Sequence, residues 1–447
     1  MGTYKQTILG LTFIALFVGQ SLPAFAQYQT EIPLPLPPIP HRTAPQPNPL
    51  QLDGTSEDQP AMPQNSNSLN NLNSDEVLVP IDQTIIQKHR NFKGVVLIAH
   101  GPAILFEQAY GSVPSSGKPY DADTRFLLAS ITKQFTAALI LKEYERGHIG
   151  LDTSVRRYIP GTPLSWEPVT IRKLLNHTSG FRYDYLNVHT FSSQAQVLTF
   201  IKKMKPRYPK NASDFFYNNV NYFLLGTVLE IVTGIPLSEL VRKEITEPLN
   251  MTRSGMIPPW SARASQLYSS EMEPQAANPA NYFAVGNMYS SLEDLYKWER
   301  ALLVDGVVLD PTTVKKMITP PGFDPDFVNR IYPTGNYLQT VSYHLKNISN
   351  TKKSFQSGYG FGLRVAAMND EIVAHHTGHL VGHTTLLIHY MGHDITIIIL
   401  TNESNYPVFT MANDIINTVF GVPTVPTKRN KRLRTAKRTH TATHKHS

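Results

Sequence analysis

Cysteine is absent from this 447-residue chain. Its absence excludes disulfides, thiolate metal sites, a cysteine nucleophile and a lipid-modified N-terminal cysteine. Beyond an apolar stretch at the N-terminus, no segment is long and apolar enough to span a bilayer. The sequence also has no internal repeat. What it does have is length: the chain can bury a large core, with room for two domains or for one composite domain.

The chain also lacks a basic face, although its formal net charge is +7. Residues 428–447 carry eight Lys and Arg and no acid, so removing those eight and Lys5 from +7 leaves −2 for everything else. Charge confined to one end does not indicate a nucleic-acid-binding surface, and we expect no nucleic-acid partner. A basic tail can bind an anionic envelope or cell-wall surface, or it can be a solvated, disordered end.

The N-terminus has the pattern of a secretory signal. Lys5 supplies the positive start, residues 8–18 form a short apolar core, and Ala24-Phe25-Ala26 places small residues two apart. This pattern predicts a signal peptide over 1–26, cleaved before Gln27, and a secreted or periplasmic protein. The alternative is an uncleaved membrane anchor, for which the apolar run is short.

Composition divides the rest of the chain into a linker, a globular domain and a tail. Residues 27–77 are rich first in proline and then in asparagine and serine, which predicts a disordered linker. This linker can be a passive tether, a spacer from a surface or a partner-binding segment. We expect the folded domain over 78–421 and a basic disordered tail over 422–447.

Within the domain, the hydrophobic pattern predicts an α/β (α+β) fold. Two strands at 94–100 and 103–110 read as a hairpin around Gly101-Pro102. The middle, about 124–320, is mainly helical in pattern. Further elements flank this middle: helices at 78–89 and 409–420, and strands at 360–368, 372–377, 384–390 and 395–401. We therefore expect one antiparallel sheet, flanked by helices and split by a helical insertion.

Ser130 and Lys133 open an apolar helical run, 129–140. Residues three apart share one helix face, so the lysine amine can take or relay the proton of the serine hydroxyl. An ordinary core helix that starts at a serine is the competing interpretation. The same spacing recurs at Ser115/Lys118 and Ser349/Lys352, but glycine and proline mark the first copy as a turn and the second lies in a polar loop.

Tyr217 and Asn219 lie in a turn-like stretch before an apolar helix. The tyrosine could shuttle a proton between the serine and a leaving group, and the asparagine could hydrogen-bond a substrate amide and orient the lysine. A partly buried tyrosine followed by a helix cap is the alternative. Tyr185-Leu-Asn187 has the same spacing, so spacing alone decides nothing.

His376-Thr377-Gly378 lies on a predicted strand near the C-terminus. A strand edge beside the serine could receive an extended substrate by backbone pairing, and Gly378 would permit close approach. The backbone N–H groups of His379 and Ser130 could form an oxyanion hole. A bend in a strand is the competing interpretation. The chain has no HExxH motif, so the neighbouring histidines do not predict a metal site, and we expect no cofactor.

Ser-x-x-Lys, Tyr-x-Asn and His-Thr-Gly, in this order, resemble the penicillin-recognising serine hydrolases. The closest subgroup is the class C β-lactamase type, which includes DD-peptidases and esterases. The resemblance covers roughly residues 80–420. Flanking segments agree with it: 123–130, 150–160, Leu175-Asn-His-Thr-Ser-Gly180, 284–294 and Leu400-Thr-Asn402. It implies a β-lactamase/transpeptidase-like fold, with Ser130 as the nucleophile.

The sequence departs from this family pattern in three places. Asn218 stands where the family usually has serine, and His376 stands where class C β-lactamases carry lysine. Residues 322–356 form a longer segment than the family's, which could reshape the substrate entrance. His-Thr-Gly occurs among DD-peptidase members, so the resemblance favours D-alanyl-D-alanine carboxypeptidase-like, penicillin-binding activity.

Other functions remain open at the level of sequence. Within the enzyme class, the substrate could be a small peptide, a β-lactam or a short ester. Outside it, the chain could be a non-catalytic envelope-binding or scaffold protein that keeps the fold without turnover. Neither the oligomeric state nor the proton roles of Lys133 and Tyr217 follow from the sequence.

Overall fold

The computed structural model describes residues 74–113, 117–184, 191–207, 215–257, 281–323, 356–368 and 371–419. Several expectations from the sequence lie outside these residues: the signal segment 1–26, most of the linker, the tail, Ser115, Ser349/Lys352, Tyr185-Leu-Asn187 and most of 322–356.

The described strands are β1 (Gly94–His100), β2 (Ala103–Tyr110), β3 (Phe126–Leu127), β4 (Gly255–Met256), β5 (Met288–Ser290), β6 (Gln356–Tyr359), β7 (Arg364–Met368), β8 (Glu371–Leu380), β9 (His383–Tyr390) and β10 (Ile395–Thr401). The described α-helices are α1 (Ser74–Lys88), α2 (Thr132–Glu145), α3 (Ile171–Leu175), α4 (Gln194–Lys202), α5 (Asn219–Thr233), α6 (Leu237–Val241), α7 (Leu292–Leu303), α8 (Pro311–Met317) and α9 (Val408–Val419).

The main sheet has seven strands in the order β2-β1-β10-β9-β8-β7-β6, and every neighbouring pair is antiparallel. β1 pairs with β2 on one side and with β10 on the other, so the helical region between β2 and β6 is an insertion into one sheet. The expected architecture is confirmed. The strands at 94–100, 103–110 and 395–401 have the expected bounds, and apolar residues dominate the first and the last of them.

Both faces of β1 and β10 are buried, which explains why apolar residues dominate these two strands. Side chains alternate along β1: Val95 and Leu97 belong to the core shared with the helical insertion. Val96 and Ile98 belong to a second core, formed with α1 and α9. The sheet is thus the middle layer between the insertion and the two helices from the ends of the domain.

A small sheet of order β3-β5-β4 was not predicted, because strands of two or three residues carry no period-2 signal. Phe126 pairs with Ser290 and Leu127 with Tyr289, and the Leu128 N–H then donates to the Met288 carbonyl at 2.8 Å. This pairing holds the chain immediately before Ser130.

In the described part of the chain, no single helix has the length and apolarity that crossing a membrane requires. Two consecutive helices, Asn219–Thr233 and Leu237–Thr246, are together long and apolar enough by length and composition alone. The chain bends by 80° between them.

Candidate active site

Ser130 lies in a short 3-10 turn (Ala129–Ile131) that leads directly into α2. Ala129 has a φ of +48°, a left-handed conformation that is uncommon for alanine and that concentrates at functional sites. The turn leaves Ser130 partly exposed while Ala129 and Ile131 are buried. Its hydroxyl is therefore accessible at the start of a buried helix.

Lys133 follows one turn later, and its side chain is fully buried. Nζ donates to Ser130 Oγ at 3.1 Å and to the Val285 carbonyl at 3.0 Å. Burial lowers the pKa of Lys133 to about 7; Asp184 opposes the shift and Arg364 adds to it. Near neutral pH, a large fraction of this amine is therefore unprotonated, as a proton acceptor must be.

The segment 284–288 fixes α2 in place. Thr136 Oγ1 donates to the Ala284 carbonyl at 2.9 Å, and the Met288 N–H donates to Thr132 Oγ1 at 3.0 Å. On the same helix, Phe135 stacks on Trp298 of α7 with ring centroids 4.0 Å apart. Burying two such rings contributes on the order of 2–3 kcal/mol each. The position of the Ser130–Lys133 pair is thus set by contacts distant in sequence.

Tyr217 O–H donates to Ser130 Oγ at 2.9 Å, so the second motif reaches the first across 87 residues. Burial raises the pKa of Tyr217 well above its ordinary value, which keeps the phenol protonated at neutral pH. The next residue, Asn218, caps α5 by accepting from the Val220 N–H at 2.8 Å, and its amide donates to the Tyr183 carbonyl at 2.8 Å. The asparagine at this position is therefore a buried cap.

Asn219 has a partner that the sequence did not indicate. Its side-chain amide donates to Asp184 Oδ2 at 2.7 Å, and its backbone N–H reaches the same oxygen at 3.3 Å. The hydrogen bonds of Lys133 go instead to Ser130 and Val285. In this structure the lysine is oriented by the Val285 carbonyl, so the expectation that Asn219 orients it is corrected. The binding of a substrate amide by Asn219 stays a prediction.

His376 is buried on β8, and its ring centroid lies 6.1 Å from that of Tyr217. Nδ1 lies 2.7 Å from the Thr377 carbonyl, and Nε2 lies 3.1 Å from Tyr359 Oη. A carbonyl only accepts, so Nδ1 carries the proton and Nε2 accepts from Tyr359. Burial holds the pKa of His376 well below its usual range, and the charges of Lys133 and Arg364 act in the same direction. His376 is therefore a neutral side chain with both nitrogens engaged.

Gly378 is required by the turn that contains Ser130. A Cβ at this position would lie 2.1 Å from the Leu128 carbonyl oxygen, 2.3 Å from Thr385 Oγ1 and 2.9 Å from Ala129 Cβ. Thr385 Oγ1 itself donates to the Leu128 carbonyl at 3.0 Å. The expected reason for this glycine was close approach of a substrate. The structure adds a second reason, since the glycine lets β8 pack against residues 128–129, and close approach of a substrate stays a prediction.

Beside Ser130, β8 has an open edge. β7 pairs with β8 only as far as the pair Arg364–His375, whereas β9 continues to pair up to Leu380. Among the described residues, 376–380 therefore have a strand partner on one side only. Thr377 is partly exposed and His379 is exposed along this stretch. An extended substrate could add here as a strand. The oxyanion role of the Ser130 and His379 N–H groups stays a prediction.

Three further side chains lie around the site: His177, Tyr359 and Arg364. Only His177 lies in a segment that the sequence indicated. His177, in the segment quoted for the family resemblance, has its ring centroid 4.4 Å from Tyr217 and 4.5 Å from Tyr359. Tyr359 on β6 and Arg364 on β7 follow no motif. Their place near Ser130 depends on how β6 and β7 pair with β8.

No group of three or more His, Asp or Glu side chains is arranged as a metal-ligand set in the described ranges. The histidines of β8 and β9 are divided between the two faces of the sheet: the strand register places His376, His383 and His389 on one face and His375 and His379 on the other. His375, for example, packs on Phe409 of α9, on the face opposite His376.

Known proteins match most of this chain. The family model described as Beta-lactamase matches residues 81–418. Penicillin-binding protein 4* of Bacillus subtilis (strain 168) is 26% identical over 339 residues, which cover 72% of this chain and 70% of that protein. The chain spans 64% and 59% of the length of two further curated relatives.

Solved structures show the same fold. The octameric penicillin-binding protein homologue from Pyrococcus abyssi matches with a TM-score of 0.61 at 24% identity, covering 78% of each chain. The D-amino acid amidase from Ochrobactrum anthropi SV3 complexed with L-phenylalanine matches with a TM-score of 0.59 at 20% identity, covering 76% of this chain and 97% of the amidase. These likenesses confirm the expected β-lactamase/transpeptidase-like α/β fold.

Proposed function

The chain belongs to the β-lactamase family of serine hydrolases, and from that premise we propose that it acts through an acyl-enzyme on Ser130, as a D-alanyl-D-alanine carboxypeptidase-like, penicillin-binding enzyme. The observation that carries the proposal is the pair of hydrogen bonds on Ser130 Oγ, from Lys133 at 3.1 Å and from Tyr217 at 2.9 Å. A serine held between a basic amine and a phenol has the groups that nucleophilic attack requires.

In the proposed reaction, Lys133 is the base and Tyr217 the acid. Ser130 Oγ attacks the substrate carbonyl carbon, and its proton passes to the unprotonated Lys133 amine. The Tyr217 phenol, protonated at rest, donates its proton to the leaving amine as the C–N bond breaks. The proton held by Lys133 restores the phenol through the active-site hydrogen bonds. Water then hydrolyses the acyl-enzyme, which releases the acid and the free serine hydroxyl.

A peptide substrate is favoured by two features of β8. Its edge is open along residues 376–380, so the backbone of an extended peptide could pair there while its carbonyl lies against Ser130. Its third-motif residue is a neutral histidine, where the class C β-lactamases have lysine. Asn219, Thr377 and Gly378 are the proposed substrate-binding residues. The Bacillus relative is named for binding penicillin, which supports the penicillin-binding part of the proposal.

A substrate panel tests this proposal. Wild type and Ser130→Ala would be assayed with a peptide ending in D-alanyl-D-alanine, a D-amino acid amide, a β-lactam and a short acyl ester. We expect release of D-alanine by wild type alone. Turnover of only the amide, the β-lactam or the ester would contradict the carboxypeptidase assignment, but it would still support a serine hydrolase. No turnover of any of them would contradict the catalytic proposal for these substrate classes.

The acidic limb of kcat/KM is expected near pH 7. Burial lowers the pKa of Lys133 to about 7, and protonation below that pH removes the proton acceptor. The rate should fall about tenfold per pH unit below the limb. The pKa values of His177 and His376 lie well below 6.5, so neither imidazole titrates in this range. A pH–rate profile with a non-titrating ester checks the prediction, and a limb near pH 4 or pH 10 would contradict it.

Secretion and envelope contact are also part of the proposal. We propose that residues 1–26 are removed and that the tail's positive charges hold the enzyme at an anionic envelope surface. N-terminal sequencing of the mature protein should begin at Gln27. Deleting residues 428–447 should leave peptidase activity unchanged and reduce envelope retention. An intact N-terminus would contradict removal of residues 1–26. Unchanged envelope retention would contradict binding of the envelope by the tail.

A further inference from the structure

We propose that His389 is a buried imidazolium paired with Glu299, and that this ion pair fixes α7 to the main sheet most firmly below neutral pH. His389 lies on β9 and Glu299 on α7, and both side chains are fully buried. The proposed catalysis uses neither residue. The inference therefore goes beyond the proposed function and does not depend on it.

One hydroxyl group joins the two side chains. Thr396 of β10 pairs with His389 in the sheet, and its Oγ1 donates to Glu299 Oε2 at 2.9 Å. His389 Nδ1 lies 3.1 Å from the same Oγ1 and 2.9 Å from Glu299 Oε1. Because the hydroxyl has one proton, which it gives to Glu299, Nδ1 carries the proton of its contact with Thr396. The charge of His389 therefore depends on its other ring nitrogen, Nε2.

The surroundings of Nε2 favour a second proton. This nitrogen is buried and has no hydrogen-bond partner among the described residues. Asp394 Oδ1 lies 4.0 Å from it. Without a proton, the lone pair of Nε2 faces a carboxylate, and with one it becomes a positive charge beside that carboxylate. Protonation thus turns an unfavourable contact into an attractive one.

The balance of charges at this place points the same way. Arg300 Nη1 donates to Asp394 Oδ1 at 2.6 Å, and both side chains are at most 15% exposed. Asp305, which Arg300 also contacts, is 46% exposed. With Arg300 engaged by these two carboxylates, Glu299 needs a cation of its own, since an unpaired buried charge is strongly destabilising. An imidazolium at His389 supplies it.

The pH dependence follows from this pairing. Burial opposes the charged form of His389, but the carboxylates of Glu299 and Asp394 outweigh burial and raise its pKa. Histidine in an unfolded chain titrates near ~6.5. A folded-state pKa above that value contributes stability that is fully present below ~6.5 and is lost as the pH rises through the folded pKa. The ion pair is therefore strongest in mildly acidic surroundings.

Other groups close to the pair come from each element around it. On the sheet, Ala374 of β8 and Thr396 of β10 flank His389, and neither titrates. From α7, Arg300 opposes a charge on His389, whereas Asp394 in the turn between β9 and β10 favours it.

Three more titratable groups lie at this end of the sheet. Tyr296 stays protonated, because burial raises its pKa to about 12. Burial lowers the pKa of His100 on β1. A hydrogen bond to Glu371 raises the pKa of His393, so this residue acts on stability with the same sign as the proposed pair. A test must therefore isolate His389 and Glu299.

The pair also bears on the catalytic helix. Trp298, next to Glu299 on α7, stacks on Phe135, and its Nε1 donates to Gln134 Oε1 at 3.2 Å. Both partners lie on α2, the helix that carries Lys133. Loosening of α7 would therefore weaken contacts that hold α2 in place.

The first test compares the melting temperatures of wild type and the double variant Glu299→Gln/His389→Gln between pH 6 and pH 9. The double variant removes both charges and keeps the polar shape. Stability of wild type relative to the variant should fall by about 3 °C from pH 6 to pH 9. The comparison cancels other titrations, including that of Lys133, whose lowered pKa acts in the opposite direction. A difference that stays constant or grows with pH overturns the proposal.

His148→Gln is the matched control. His148 Nδ1 lies 2.7 Å from Glu143 Oε2, but its side chain is 60% exposed, so solvent screens this pair. Its difference from wild type should be small and equal at pH 6 and pH 9. An equal fall in this control would assign the slope to histidine deprotonation in general and would overturn the role of the buried pair.

NMR titration of the His389 imidazole needs no unfolding, and it decides the question if the double variant does not fold. The pKa of His389 should lie above ~6.5 in wild type and should fall in Glu299→Gln. A value below ~6.5, or no change in Glu299→Gln, overturns the proposal. Neither readout requires turnover of a substrate, so failure of this inference and failure of the proposed function are distinguishable.

Discussion

Ser130→Ala is expected to lower kcat/KM by about 10⁴- to 10⁶-fold for every substrate that the wild type turns over. The substitution removes the only atom of the serine that can form the acyl bond. It leaves the rest of the site in place, because Ser130 is partly exposed and the helix behind it is fixed by Thr132, Phe135 and Thr136. The measurement is initial-rate kinetics together with the melting temperature, which should stay close to that of wild type.

The chain offers a matched control for this substitution. Ser115 opens another Ser-x-x-Lys spacing, with Lys118. Ser115→Ala should retain wild-type kinetics. Equal losses in both variants, or a Ser130→Ala enzyme with more than about a hundredth of the wild-type rate, would refute Ser130 as the nucleophile.

Lys133→Met is expected to lower the acylation rate by about 10²- to 10⁴-fold, the usual contribution of a general base. Methionine has nearly the same length and shape but cannot accept a proton. The melting temperature at pH 7 should not fall and is expected to rise, because the buried site no longer has to hold an amine. Unfolded lysine titrates near ~10.4, whereas burial lowers the pKa of Lys133 to about 7, so folding works against its charged form.

Gain of stability with loss of activity is the signature of a residue retained for chemistry. Lys118→Met, on the exposed turn, is the comparison and should change neither quantity. A Lys133→Met enzyme with near-wild-type acylation would exclude the lysine as base and favour Tyr217 in that role. A large fall in melting temperature would indicate that Lys133 is mainly structural.

Much of the fold was predictable because its signals are local. The strands at 94–100 and 395–401 are apolar runs buried on both faces, and their bounds agree with the structure. The hairpin turn at Gly101-Pro102 is equally local. The small sheet was not predictable, since β3 and β4 have two residues each.

The candidate site was predictable where a motif lies within one element. Ser130 and Lys133 are one helical turn apart, and the turn itself brings them together. Tyr217 joins this pair because α5 packs against α2. Nothing in the local sequence indicates that packing, and only the family resemblance predicted it.

The rest of the site depends on pairing between distant strands. Arg364 and Tyr359 reach the site because β6 and β7 pair beside β8 and stop at His375. Asp184 reaches it because its loop lies at the start of α5. None of the three has a local signal. The packing reason for Gly378 was not predictable for the same cause, since residues 128–129, which exclude a side chain there, lie about 250 positions away.

The most direct test of the central claim is identification of the residue that carries the acyl group. Wild type, Ser130→Ala and Ser115→Ala would be incubated with a penicillin, and separately with a D-alanine-containing thioester, then quenched in acid. Intact mass and peptide mapping would follow. We expect one acyl group per chain, on the peptide that contains Ser130, in wild type and Ser115→Ala and not in Ser130→Ala. An acyl group on another residue, or turnover of these compounds that persists in Ser130→Ala, would contradict the account.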